Sequence, residues 1–226
     1  MTKNSILAFT LAEVLITLSV IGVITAITIP TLMQNTQKQD TTTKVQKAYT
    51  TLAQAIKKSE LDNGPIESWN YNIPNGQFMN TYVAPYLNIV KNCGPTAGCW
   101  AGDRVNYIKS SGFDNNTDTA NIILSDGTFL SGYTNTDHTH FRIDIDGKKG
   151  PTRYGRDVFM FTLTPGPLFE SGRHNIEKAG LYPYGAGLDR ETILTSGQGC
   201  NKNATGGGCT ALIMLDGWQI KDDYPW

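Results

Sequence analysis

Between residues 9 and 33 the chain is almost wholly apolar, and this run limits the folds open to it more than any other feature. No charge occurs in residues 14–33, and about 20 such residues cover a hydrocarbon core roughly 30 Å thick. One acidic residue, Glu13, stands near the start of the run. A carboxylate at the centre of a membrane helix costs about 2.5–3.5 kcal/mol, and less near an end. A plain anchor gains nothing from that charge, so Glu13 asks for a partner.

The flanks separate the readings of this run. Residues 1–8 form a short leader with one basic residue, Lys3, and end on the small Ala8. An ordinary secretory signal places its small-x-small cleavage site after the apolar core. Here the small residue precedes the core, and no Ala-x-Ala pattern stands at the end of the apolar run near Met33. Cleavage after Ala8 would therefore leave the hydrophobic segment in the mature protein.

This arrangement resembles the class III leader of type IV pilins and of the pseudopilins of type II secretion systems, over residues 1–60. The resemblance rests on Ala8 and Phe9 at the cleavage point, on Glu13 four residues beyond Phe9, and on Pro30 late in the apolar run. The family usually has Gly where Ala8 stands. The resemblance implies that a prepilin peptidase cuts before Phe9 on the cytoplasmic side and methylates the new amine. It also implies sibling pilins or pseudopilins as partners, with an assembly ATPase acting through a platform protein. The implied place is the bacterial inner membrane, head outside the cytoplasm, and then a filament. The physics supports that mechanism. Glu13 of one subunit can pair with the Phe9 amine of a neighbour inside an apolar bundle, which relieves the penalty of burying either charge alone. A wrong axial offset leaves both charges unpaired, so the pair sets register.

Beyond Gln34 the helix should continue. Val45, Ala48, Tyr49, Leu52, Ala55 and Ile56 recur at three- and four-residue steps and share one face. Lys44, Lys47, Gln54, Lys57 and Lys58 suit the wet face. Asn63, Gly64 and Pro65 end the helix, because Asn and Gly favour C-terminal caps and Pro cannot continue the turn. A helix over residues 9–61 is roughly 80 Å long at about 1.5 Å per residue. Pro30 should kink it or locally melt it. The chain thus divides into a leader (1–8), a transmembrane and oligomerisation segment (9–33), an amphipathic extension (34–63) and a globular head (64–226).

In the head, Phe78, Met79, Tyr82, Val83, Tyr86, Leu87 and Val90 predict a second helix over 76–91 that packs in the core. The pattern then changes to strands. Residues 122–125 and 128–131 flank Asp126-Gly127, a two-residue hairpin turn. Residues 141–145 and 158–163 alternate in the same way around a longer connection, and residues 210–215 and 218–220 around Asp216-Gly217 read as a third pair. The expected fold is α+β, an antiparallel sheet laid on the amphipathic half of the long helix. The pilin resemblance implies the same head.

Four cysteines, Cys93, Cys99, Cys200 and Cys209, lie in Gly-rich segments of the head. An even number in an exported domain favours disulfides worth about 2–4 kcal/mol each. Three connectivities are possible, and the short-range pairs 93–99 and 200–209 are preferred. A zinc site would want Cys-x2–4-Cys knuckles, which are absent.

The stretch from Asp144 through Asp146-Gly147 and Gly150-Pro151 to Asp157 resembles a loop of pilin-like proteins. Asp144 and Asp146 point the same way from a strand end, and Asp157 can return to close an oxygen cage. Calcium wants six to eight oxygens, and some major pseudopilins hold it in their heads. However, the twelve-residue loop with a closing Glu is missing. Asp-Gly followed by Gly-Pro is turn chemistry, with Asp157 bonding to nearby backbone N–H groups. The turn is preferred and no cofactor is assigned; calcium is the alternative.

Little else points to chemistry. His138 and His140 flank Thr139 and can share a strand face, yet no third ligand follows at convincing spacing, so these two and His174 read as surface residues. No nucleophile pattern, phosphate-cradling Gly motif or metalloprotease helix occurs. A net charge of −1 provides no broad basic surface for nucleic acid. The sequence therefore reads as a non-enzymatic filament subunit. The competing class is a single-pass anchored extracytoplasmic binding domain that does not polymerise.

Overall fold

The computed structural model describes residues 10–95, 99–100, 104–109, 111–115, 119–147, 149–150 and 152–225. The chain forms two compact units, Met1–Asp40 and Thr41–Trp226. One helix, α1 (Leu11–Asn63), begins in the first and ends in the second.

In the first unit α1 presents its apolar side chains on all sides, and Leu15, Ile16, Ile21, Val23, Ile27 and Leu32 are all exposed. By length and composition the helix is able to cross a membrane. Its hydroxyls are satisfied within the helix. Thr17 donates to the Val14 carbonyl at 2.9 Å, Ser19 to Leu15 at 2.8 Å, Thr25 to Ile21 at 2.6 Å and Thr28 to Ile24 at 2.9 Å. Such back-bonding removes the cost of an unpaired hydroxyl in lipid. The local melting expected at Pro30 does not occur, since α1 runs through it. The proline forfeits one bond, to the Ala26 carbonyl, and the rest of the ladder outweighs it.

In the second unit, Val45, Leu52, Ala55 and Ile56 are buried, the face that the spacing predicts. Tyr49 stacks on Phe161 with ring centroids 5.7 Å apart. Lys47 Nζ meets Asp126 Oδ2 at 2.7 Å, fastening the helix to a hairpin turn. The helix ends as expected: the Asn63 side chain bonds back to the Ser59 carbonyl, and Gly64 takes φ +78°.

The helix expected over 76–91 is shorter and irregular. α2 (Asn75–Phe78) passes into a π turn at Met79–Val83 and a 3-10 turn at Ala84–Tyr86. Pro85 cannot donate to the helix ladder, so the regular spiral stops there. Phe78, Met79 and Val83 remain core residues, but Val90 joins a strand and is exposed.

Six strands form the main sheet: β1 (Ile89–Gly94), β4 (Ala120–Leu124), β5 (Phe129–Thr134), β6 (Thr139–Asp144), β7 (Val158–Thr164) and β10 (Gly180–Pro183), in that spatial order. Every neighbouring pair is antiparallel. Two short ribbons pair β2 (Arg104–Asn106) with β3 (Phe113–Asn115), and β8 (Leu168–Glu170) with β9 (His174–Ile176). The expected α+β layout, a long helix with an antiparallel sheet, is present.

On β6, alternation turns Phe141 and Ile143 toward one side of the sheet, opposite Phe161 and Phe159 of β7. Together with Ile122, Leu130 and Leu163 these side chains share a core with Val45, Leu52 and Ile56 of α1. A second, smaller core gathers Trp100, Val105, Phe129, Tyr154, Val158, Met160 and Tyr184.

Two turn expectations change. The β4–β5 hairpin closes with three residues rather than two. Gly127 N donates to Leu124 O and Leu124 N to Thr128 O, with Gly127 at φ +86°; this is a type I turn followed by a left-handed glycine. The third strand pair is absent, because residues 209–215 form helix α4 (Cys209–Leu215). Gly217 N donates to Met214 O and Trp218 N to Ile213 O, the bond pair that closes a helix over a left-handed glycine. A short, unbroken apolar run carries no period that separates strand from helix. The remaining helix, α3 (Arg190–Thr195), starts with Asp189 as its cap, accepting from Thr192 N.

Gly155 sits at φ +74°, and a Cβ there would stand 2.7 Å from Cys209 Sγ. Gly155→Ala should therefore destabilise the protein by about 2 kcal/mol, combining left-handed strain with a clash in the core. Urea denaturation of the two forms measures this.

Candidate functional site

Three sets of side chains carry chemistry. The first opens α1. Glu13 N donates to Thr10 Oγ1 at 3.2 Å, while Glu13 Oε2 accepts from Thr10 N at 2.9 Å and from Thr10 Oγ1 at 2.8 Å. This is a reciprocal capping box, and Thr-x-x-Glu ahead of an apolar run is its sequence signature. The reading that Glu13 lacks a local partner missed that signature. Ala8 and Phe9, the expected cleavage residues, lie outside the described residues. Pro30 lies within the exposed apolar helix.

Both preferred disulfides are present, Cys93–Cys99 and Cys200–Cys209. The second ties the segment after α3 to the first residue of α4 and lies wholly in the interior.

The second set is the carboxylate turn after β6. Asp144 Oδ1 accepts from Asp146 N at 3.2 Å and Gly147 N at 2.9 Å, and Gly147 takes φ +67°. Ile145 N donates to the Asp157 carbonyl at 2.9 Å, which brings Asp157 back to the turn. Asp144, Asp146 and Asp157 each keep one buried oxygen with no hydrogen-bond partner. That donor chemistry suits a hard cation. The arrangement does not make a cage, since no three acidic, histidine or cysteine side chains among the described residues group closely enough to hold an ion. Burial pushes the Asp144 carboxyl up to about 8, aided by the Asp146 charge and opposed by the two amide bonds. Burial, then the Asp146 charge, raises Asp157 to about 6.

These shifts have a definite sign. Asp144 binds its proton more tightly folded than unfolded, so its contribution is complete below the ordinary 3.8 and is lost as pH rises toward 8. Asp144→Asn should therefore stabilise the protein, in chelator, by an amount growing from pH 5 to pH 8.5 and reaching about 1 kcal/mol or more. Denaturation at the two pH values measures it. The turn reading further expects millimolar calcium to leave the melting temperature at pH 8 unchanged; a rise confined to forms that keep Asp144, Asp146 and Asp157 would establish the calcium alternative.

The third set corrects the expectation of surface histidines. His138 and His174 are each only 2% exposed, and His140 is packed between them. His140 and Arg142 project from β6 on the side opposite Phe141 and Ile143. Here they line a cavity of about 430 Å³ with Tyr107, Tyr133, Tyr154 and Tyr184. Asp114 accepts from the hydroxyls of Tyr107 and Tyr154, each at 2.7 Å. Burial holds His140 well below its ordinary value, with the neighbouring histidines and arginines adding to the effect, and takes His174 to about 4. The spacing His-x-His announced a shared strand face. Nothing in the sequence announced that β9 would bring His174 against it.

These features describe an α+β protein with one exposed apolar helix and a disulfide-braced head. The chain belongs to a family of unknown function, DUF6613, which it matches over residues 31–226. The match starts just after Pro30, so Ala8, Phe9, Glu13 and Pro30, on which the leader resemblance rests, lie outside it. No curated protein and no solved structure matches the chain.

Proposed function

We propose that this chain is a structural subunit of a type IV pilus-like or type II secretion pseudopilus filament, processed by a prepilin peptidase before Phe9 and assembled through its N-terminal helix. The observation that carries the reading is the apolar surface of α1, exposed on all sides from Leu11 to Met33 and headed by a single carboxylate. Contiguous apolar surface of this extent marks a membrane or partner interface. Lipid covers it in a pool of single subunits held in the cytoplasmic membrane, and neighbouring helices cover it in a filament. The head then lies outside the cytoplasm, where its two disulfides are stable. Sibling subunits are the direct partners, and an assembly ATPase acts through a platform protein. The role is non-enzymatic.

Glu13 would pair with the Phe9 amine of a neighbour. Its bonds to Thr10 do not forbid this, because an ionised carboxylate offers about four acceptor sites.

The second reading, a single-pass anchored binding domain, is favoured by one observation: the capping box already provides Glu13 with a local role. Glu13→Gln separates the two, since glutamine keeps the capping geometry and removes the charge. A filament subunit should lose assembly, scored by sheared-filament yield and crosslinking, in both Glu13→Gln and Glu13→Ala. An anchored domain should show no difference between Glu13→Gln and the wild type in membrane content or melting.

Processing is tested by the N-terminal peptide from native membranes, with and without the peptidase. A methylated peptide starting at Phe9, lost without the peptidase, is the expected result. An intact Met1 leader in both cells would overturn the filament reading.

A further inference from the structure

The sharp turn between β5 and β6 places two imidazoles and one amide around a single point. Asn135 N donates to the His138 carbonyl at 2.8 Å and closes the turn. Inside it, His138 Nε2 lies 3.0 Å from His140 Nε2 and 2.8 Å from the Asn135 side-chain amide. We propose that this juxtaposition is a binding site for a divalent transition-metal ion of the zinc type, held by His138 Nε2, His140 Nε2 and the Asn135 amide oxygen, with water completing the set.

The tautomers support it. His138 Nδ1 is 2.7 Å from Asp137 Oδ1, so that nitrogen carries the proton and leaves Nε2 as a bare lone pair. A carboxylate on the far nitrogen is the usual orienting partner of a metal-ligating histidine. His140 Nδ1 is 3.0 Å from Thr162 Oγ1, which plays the same part for the second ring. In the metal-free chain the one lone pair of His138 Nε2 is shared between the Asn135 amide N–H and a proton on His140 Nε2. On binding, that proton moves to His140 Nδ1 and is donated to Thr162 Oγ1, whose own hydroxyl proton turns toward His174 Nε2, 3.5 Å away. The metal therefore replaces the hydrogen bonds that His140 and the Asn135 amide make to His138 Nε2, and no net proton is released.

Distances fit as well. Zinc holds imidazole nitrogens at about 2.0–2.1 Å, which sets two tetrahedral nitrogens about 3.3 Å apart; the rings need to part by only a few tenths of an ångström. The Asn135 amide must turn over so that its oxygen faces the ion, and the two orientations of an amide differ little in shape. Among the described residues no third acidic, histidine or cysteine side chain completes the set, which leaves an open coordination position.

An ion can reach the point. Asn135 lines both the 430 Å³ cavity shared with His140 and a second cavity, of about 580 Å³, that it shares with His138 and Glu170. Glu170 Oε2 lies there, ion-paired with Arg173 Nη1 at 3.6 Å, and the Asp137 side chain is 67% exposed, so Asp137 is the carboxylate that favours a cation's approach. Arg142 and Arg173 border the other cavity and oppose a cation from that side. Entry is thus from the Asp137 side.

The test is zinc chloride titrated into the full chain in detergent at pH 7.5, followed by calorimetry and X-ray absorption at the zinc edge. One zinc per chain, with a shell of nitrogen and oxygen that includes two imidazoles, is expected. His140→Gln should weaken binding at least tenfold, and Asp137→Asn, which leaves both ligands in place, about tenfold. Absence of zinc-dependent heat in the folded wild type, a shell without two imidazoles, or a Kd indifferent to Asp137→Asn would overturn the site. The absorption spectrum of the wild type decides the matter even if His140→Gln does not fold.

Discussion

The alternation of β6 is the constraint on which the head depends. Its pleat turns Phe141 and Ile143 into the core shared with Val45, Leu52 and Ile56, and it turns His140 and Arg142 the other way. A one-residue slip would put the imidazole and guanidinium against the apolar face of α1 and expose two large hydrophobes. The ladder on both sides, to β5 and to β7, prevents that slip, and so does the carboxylate turn that ends the strand.

The two cores follow from this division. The larger takes the helix face and the inner strand residues. The smaller is built on the opposite side from Trp100, Tyr154, Met160 and Tyr184, under segments that two disulfides hold close. Buried polar groups on that side are mostly paired, as the low dielectric demands: tyrosine hydroxyls to Asp114, imidazoles to one another and to Thr162. The exposed helix in the first unit obeys a different rule. There the backbone and hydroxyls are satisfied within the helix, and the apolar side chains are left for an environment outside the chain.

The parts of the fold with strong periodicity were legible in the sequence. The long helix, its buried face and its Asn-Gly end were readable because each is local: spacing of 3.6, then a residue able to adopt positive φ. The β4–β5 and β6–β7 hairpins were readable from alternation. Residues 210–215 were not, because a short, unbroken apolar run shows no period, and only its packing beside the Cys200–Cys209 bridge makes it a helix. The stretch 75–86 misled in the opposite direction, since helical spacing was present but Pro85 limits the ladder.

By itself the sequence determined the apolar rod, its single carboxylate, the amphipathic face that continues it and the family of turns in the head, since each depends on residues a few positions apart. It also carried the Thr10–Glu13 cap in plain form. Tertiary structure alone decided that residues 209–215 form a helix closed over Gly217. It also decided that three histidines, 36 residues apart at their widest, meet, two of them buried and His140 at the wall of a cavity. Those contacts are set by strand order and by the side of the sheet each residue faces, and neither is encoded in local spacing.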